Sequence, residues 1–371
     1  MNARERFVDT LLFKQVDRAP FTEWCGYWDE TLLRWHCEGL PIGTSVEDYF
    51  GFDSGLRPPY PTVPNGVPID MLLVPRFVEK TLEENERYRI FVDNIGIKKR
   101  ILKSSSSPQG RMPQHLDWPV RNREEFQKVK ARFSSEDPRR IGVQWSEELV
   151  EYCNSQTEMP IGLHIPGFYG TGRELMGMER LLITFHKDPA LISEMFQFWV
   201  DFLMKMIKKA LPFNIDYAEI WEDMAYRNGP HMSPKLFREF ILPHYKTLIQ
   251  FLKRNGVRLF VLDSDGDLRA LISLLVEAGV NCIYPMEVQS GMDAPALRRE
   301  YGESLAMIGN IDKRALIAGR SAIRKEIKAK LNSINEGGYV PSVDHLVPPD
   351  VSFSNYGYYI RLLKRRLFPR R

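Results

Sequence analysis

From about residue 157 onward, short runs of apolar residues alternate with longer segments whose apolar positions recur every three or four residues. The runs are PIGLHIP (160–166), IDYAEIWED (215–223), VRLFVLD (257–263), VNCIYPMEV (280–288) and SLAMIGN (304–310). A strand with one wet face alternates polar and apolar residues. These runs are nearly continuous, so they predict parallel strands covered on both faces. Between them the periodicity predicts helices over 189–210, 233–254, 267–278, 292–301 and 320–336. Asp267 is the predicted N-cap of the third, with Leu268, Leu271, Ile272 and Leu275 on one stripe. Repeated strand–helix units with short links point to βαβ architecture, and a single (β/α)8-type barrel explains them best. GFYGTGREL (167–175) follows a strand, but its glycines fall at the wrong offsets for a dinucleotide-binding turn, so it reads as a tight entry into a helix.

The first 150 residues differ. APFTEW (19–24) predicts the first barrel strand. ERYRIFVDNIGIKKRILKSSSSPQGRM (86–112) predicts an antiparallel pair, turned at NIG and broken at SSSSPQG. Residues 45–120 are therefore expected to be an insertion covering one end of a barrel that spans 1–371.

With 371 residues, 43% of them hydrophobic, the chain can bury a large core. The net charge is +3, but RLLKRRLFPRR at the C-terminus holds six basic residues and no acid, and removing those six charges leaves residues 1–360 at −3. The body is thus not a nucleic-acid-binding surface; the basic tail reads as a solvated helix face or a dock for an acidic partner. Cys25, Cys37, Cys153 and Cys282 lie far apart, which suits a reducing cytoplasm and gives no zinc-finger spacing. No apolar run reaches the roughly 18 residues that span a bilayer, and MNARERFVDTLLF lacks a signal-peptide core. A soluble cytoplasmic protein is expected.

In a barrel of this type the C-terminal ends of the strands converge on one mouth. The strand-end residues here are Glu23, Trp24, His164, Glu222, Asp223, Asp263, Asp265, Glu287, Asn310, Asp344 and His345. Any single acid at a strand end can be a helix cap. Many together repel, and need a metal, a cation or a proton to offset them, which favours a raised pKa on at least one. VLDSDGD (261–267) is not a calcium loop, because the required Gly and Glu fall on Leu268 and Leu274. Trp28, Leu32 and Trp35 share helical spacing and read as core, whereas Trp24 and Tyr27 could wall a pocket for a flat substrate.

Several segments together resemble the uroporphyrinogen decarboxylase superfamily, which includes corrinoid-dependent methyltransferases. They are NARERFVDTLLFKQVDRAPF, GFYGTGRELMGMERLLITFHKDP, EDMAYRNGPHMSPKLFREFILPHYKTLI, IGNIDKRAL and GGYVPSVDHLVPPDVSFSNYGYYI. The resemblance implies a distorted (β/α)8 TIM-type barrel. Decarboxylases of the family begin with an Arg-Gln-Ala-Gly-Arg-Tyr segment whose arginines hold porphyrin carboxylates. This chain has FTEWCGYW there, acidic and aromatic, which would repel such a substrate. His345 matches the family's C-terminal active-site histidine. The zinc ligands of the family's methyltransferases, a His-x-Cys and a later Cys, fall on Asp263, Asp265 and Asp344. With no thiolate present, soft zinc chemistry is disfavoured; a hard metal ion on these three acids, or a proton shared among carboxyls, stays open.

The combination resembles the methyltransferases that pass a methyl group from methoxylated or N-methylated compounds to a cobalamin protein. It implies a small methoxylated aromatic substrate and a corrinoid (cobalamin) carried by a partner protein, with a homodimer as one option for the assembly. Asp263, Asp265, Glu222 and His345 would carry the chemistry; Trp24, Tyr27, His164, Asn310 and Glu23 would bind substrate. A decarboxylase is the alternative, and a catalytically silent binding protein a third reading.

Overall fold

The computed structural model describes residues 1–103, 113–142 and 145–368. The Ser-rich break at 104–110 and the last three residues of the basic tail lie outside the described residues. Six parallel strands form the central sheet: β5 (Gly162–Pro166), β6 (Tyr217–Trp221), β9 (Leu259–Asp263), β10 (Cys282–Tyr284), β11 (Ala306–Ile311) and β12 (Tyr339–Val343), hydrogen-bonded in the order β12-β11-β10-β9-β6-β5. Each of the five predicted runs holds one of them. The sixth, β12, is YVPSV, whose proline breaks the apolar run and hides it from the pattern. A separate antiparallel sheet is built from β1 (Lys80–Glu84), β2 (Tyr88–Val92), β3 (Lys98–Leu102) and β4 (Gln114–Asp117). The predicted pair is its centre, β2 and β3, and two flanking strands widen it. A two-residue-strand hairpin, β7 (Ala225–Tyr226) with β8 (Gly229–Pro230), stands after β6.

The predicted first strand, 19–24, is extended but not a ladder strand. Its neighbouring residues run beside β12 through isolated contacts: Trp24 N donates to Ser342 Oγ (3.0 Å), and Val347 N to Gly26 O (3.0 Å). At the other edge, Val67 N donates to Gly162 O (3.0 Å) and Gly162 N to Asn65 O (2.9 Å), so residues 65–67 flank β5. Thr22 Oγ1 to Leu56 O (2.9 Å) and Asp53 N to Phe21 O (2.8 Å) span the gap between the flanks. Among the described residues the ring is therefore closed by irregular segments, not by eight laddered strands. The physical reason is proline: RPPYPTVPNGVP and the Pro of APF lack the N–H groups that a ladder requires.

Alternation along the parallel strands sorts side chains into two cores. The inward set, Tyr217, Leu259, Val261, Cys282, Tyr284, Ala306, Ile308 and Val340, packs with Phe7, Leu11, Trp24 and Leu56. Helix Ala3–Leu11 supplies Phe7 and Leu11 and closes the base of the barrel; Phe7 stacks on Trp24 at 5.2 Å. Asn2 and Glu5 form its capping box, and Arg4 ties it to Asp216 at 2.9 Å. The outward set joins the surrounding helices in the larger core.

The helices at Pro189–Ala210, Arg269–Ala278, Ala294–Tyr301 and Arg320–Asn335 lie on the predicted spans. The predicted 233–254 helix runs from Pro234 to Arg254 with a π-helical turn at Phe237–Ile241. Asp267 is not the N-cap of Arg269–Ala278. Leu268 holds that position, and Asp267 sits one residue earlier, accepting from Arg269 N (3.1 Å) and pairing with its guanidinium (2.7 Å). In the C-terminal helix Phe353–Leu367, Tyr356, Tyr359, Ile360, Leu363 and Leu367 are buried while Arg365 and Arg366 are exposed, which is a solvated basic face. Among the described residues no helix is long and apolar enough to cross a membrane.

Replacing Phe7 with Ala removes a fully buried ring from the base of the barrel, and should cost about 3–5 kcal/mol of unfolding free energy. Urea titration of the two proteins measures it; a difference under about 0.5 kcal/mol would show that the helix is not a structural plug.

Candidate active site at the strand C-termini

The strand register decides which polar side chains face inward. His164 pairs with Glu219 across β5 and β6, Trp221 with Asp263 across β6 and β9, and Asp263 with Tyr284 across β9 and β10. Trp221, Asp263 and Tyr284 thus form one layer at the mouth, with His164 and Glu219 one layer below. Above Asp263, Asp265 and His345 come from the loops after β9 and β12, with Nε2 and Oδ2 3.4 Å apart.

Trp221, Asp263, Tyr284, Asp265 and His345 border a cleft of about 930 Å³. Trp24, Tyr60, Trp221 and Tyr284 give it aromatic walls; Asp223, Asp263 and Asp265 give it acid. Residues 45–58 contribute the rest of the wall, including Arg57, its one arginine or lysine among the described residues. The other nearby cations are already committed: Arg173 to Asp223 (3.2 Å), and Arg6 and Arg18 to Asp53 (3.2 and 2.6 Å).

Burial is the largest force on the Asp263 carboxyl, and Glu219, Asp223 and Asp265 add repulsion, so it is held protonated well above the usual range. Asp223 is raised for the same first reason, with Asp265 next. Burial, and then Asp263, Glu23, Asp265 and Asp344, push the Cys25 thiol up as well, so it is held as the neutral thiol. His345 is raised. Burial alone would lower it, but the hydrogen bond and charge of Asp265 outweigh that.

Beneath the mouth, Glu219 is fully buried. Tyr284 donates its hydroxyl to Oε1 (2.6 Å), and His164 Nδ1 lies against Oε2. Sequence reasoning passed over Glu219 because it sits in mid-strand. The available signal was a charged residue two positions from Tyr217 and from Trp221, on the inward parity of an otherwise apolar run.

Of the predicted residues, Trp24, Glu23, Asp263, Asp265 and His345 come together at the cleft. Glu23, however, turns its carboxyl to the protein. Oε1 accepts from Ser342 Oγ (2.5 Å) and Val343 N (2.9 Å), Oε2 from Tyr356 (3.2 Å), and burial raises its pKa to about 7. Tyr27 does not wall the cleft: its hydroxyl meets that of Tyr356 at 3.0 Å and its ring packs on Trp35. Glu222 is not in the cleft either. It sits at the N-terminus of helix Phe168–Met176, accepting from Phe168 N (2.9 Å), Gly170 N (2.7 Å) and Tyr245 (2.7 Å), with burial raising it to about 7. Gly167 is required there, since a Cβ would stand 2.2 Å from the Glu222 carboxyl carbon. Asn310 is saturated inside the fold, donating to Met286 O (2.8 Å) and Met292 O (2.9 Å) and accepting from Ala294 N (2.9 Å). Asp344 is likewise spent on backbone, accepting from Val288 N (3.0 Å) and Lys313 N (3.1 Å), and burial raises it to about 6. The three-acid metal set is therefore not assembled; among the described residues no three His, Cys, Asp or Glu side chains converge in a metal-binding group. Helix caps and loop anchors compete for strand-end acids, and at Glu222 and Asp344 they won.

A profile of the uroporphyrinogen decarboxylase (URO-D) family matches residues 107–366. The chain belongs to this family. Its curated relatives are distant: the uroporphyrinogen decarboxylases of Pelodictyon phaeoclathratiforme (22% identical, 48% of this chain and 50% of that one) and Chloroherpeton thalassium (25%, 49% and 50%). The chain spans about half the length of the curated relatives it matches. A methyltransferase from Methanosarcina mazei shares the URO-D-like barrel fold over 99% of this chain and 98% of its own, with a TM-score of 0.59 at 16% identity.

Two measurements check the electrostatics. His345 should titrate above 6.5, and Asp265→Asn should bring it down, as read by NMR with His345→Gln to assign the signal; an unmoved titration sinks the pairing. Asp263 binds its proton more tightly folded than unfolded, so its contribution is most favourable below the unfolded value of 3.8 and is lost as pH rises through the folded value. Asp263→Asn should therefore raise the melting temperature more at pH 8 than at pH 4. An equal change at both would contradict the crowding.

Proposed function

We propose that the protein transfers a methyl group from a small methoxylated aromatic compound to a corrinoid carried by a partner protein. The observation that carries this reading is Asp263: a carboxyl crowded by three acids at the floor of an open cleft with aromatic walls. Cleaving a methyl ether requires a proton for the oxygen, because a phenolate leaves poorly. Asp263 is placed to give that proton as the methyl–oxygen bond breaks, and the bonding electron pair stays on oxygen, so the leaving group departs as a neutral phenol. The Asp265–His345 pair at the rim restores the proton to Asp263.

A reduced corrinoid supplies the nucleophile that takes the methyl group. The cleft suits a carrier arriving from outside, since its rim residues Glu47, Asp48 and Arg57 are exposed or half-buried and the cleft opens between them. Residues 45–120 we read as a cover over this end of the barrel. Zinc is not part of the proposal, because the acids that would replace its ligands do not converge.

The acid excess argues against a substrate with many carboxylates, as uroporphyrinogen has, for Arg57 is the one arginine or lysine that lines the cleft among the described residues. Mixing the protein with chemically reduced cob(I)alamin and 4-methoxyphenol should give methylcobalamin, followed by its absorption spectrum. Asp263→Asn should slow this about 100- to 10,000-fold. Unchanged rates in the variant, no methylation across a panel of methoxyarenes, or carbon dioxide release from uroporphyrinogen would each overturn the reading.

A further inference from the structure

A second space adjoins the cleft. Tyr60 and Trp221 border both, and behind them lies a chamber of about 310 Å³. Its walls are apolar and aromatic: Leu72, Leu73, Phe133, Leu175 and Trp199. A cavity of about 150 Å³ takes up benzene, so this one has room for a substituted ring.

Three polar side chains interrupt the wall. Thr171 lines the chamber, and its buried Oγ1 has no hydrogen-bond partner. Glu174 lies beside it in the wall, 3.7 Å from Arg173, with burial raising its carboxyl. His164 presents its ring, held at Nδ1 by Glu219 and packed 5.0 Å from Tyr60. A buried hydroxyl without a partner is costly unless a ligand completes it.

We infer that this chamber holds the ring of a monocyclic aromatic ligand, with Thr171 and Glu174 reading a hydroxyl or amino substituent. The inference rests on the proposed function, which it deepens. A ring seated there would point its methoxy group between Tyr60 and Trp221 toward Asp263. Specificity would then come from apolar fit plus one hydrogen-bonded substituent at the far end.

Binding can be measured on the full chain with no corrinoid present, by calorimetry and by tryptophan fluorescence, using phenol, 4-methoxyphenol and toluene. Phenol should bind about three- to tenfold more tightly than toluene, and Thr171→Val should erase most of that difference. Leu72→Trp fills the chamber from a position that is 40% exposed, and should abolish binding of all three while leaving the circular dichroism spectrum unchanged. Equal affinity for phenol and toluene, or undiminished binding by Leu72→Trp, would overturn the inference. Because Thr171→Val preserves side-chain shape, it tests the chamber even if Leu72→Trp misfolds. Ring binding without methyl transfer would support the chamber and sink only the proposed reaction.

Discussion

The site is organised around carboxylates that the strand register forces inward. Glu219 and Asp263 lie on the inner face of adjacent strands, and the strongest influences on Asp263, after burial, are three other acids. Burying a charge without a counter-charge costs several kcal/mol, so the interior must supply protons and hydrogen-bond donors instead. It does so with Tyr284 and His164 on Glu219, and with a retained proton on Asp263. The aromatic walls share this task, since they exclude water and so keep that proton difficult to lose.

The sheet was legible because parallel strands covered on both faces read as continuous apolar runs. What escaped had local causes. Pro341 masked β12, and prolines near both flanks removed the donors that would have made ladder strands of them. In the site, the acids of VLDSDGD were visible because Asp263 ends an apolar strand and Asp265 and Asp267 follow directly on it. Glu219 was not, because one charge in mid-strand carries no end signal. Glu222 and Asp344 show the opposite error. Their strand-end position is real, but helix N-termini and loop N–H groups at the same end of the barrel bind carboxylates as readily as a substrate does. Tyr27 and Asn310 depend on partners more than a dozen residues away in the chain, Tyr356 and Met292 among them, which no local pattern shows.

Three non-glycine residues with positive φ, Asp223, Met286 and Asn310, stand at or just beyond the ends of β6, β10 and β11. Such conformations cost of order 1–3 kcal/mol and persist where the surroundings over-determine them. Asp223 redirects the chain beside the cleft it lines, and Asn310, inside the fold, shows the restraint directly, tying the loop after β10 to the start of helix Ala294–Tyr301. Tyr60 and Trp221 line both the cleft and the chamber behind it.

The floor of the cleft joins the two ends of the chain. Trp24 packs on Phe7, and its backbone N–H donates to Ser342 Oγ, 318 residues later. During synthesis the first helix and Trp24 emerge early, but their partners follow much later: Tyr217 on β6, Tyr284 on β10 and, last, Ser342 on β12. Contacts of such long sequence separation form late and slowly. Until those strands arrive, Phe7 and Trp24 are a sticky apolar surface of the nascent chain, and β12 completes their cover last.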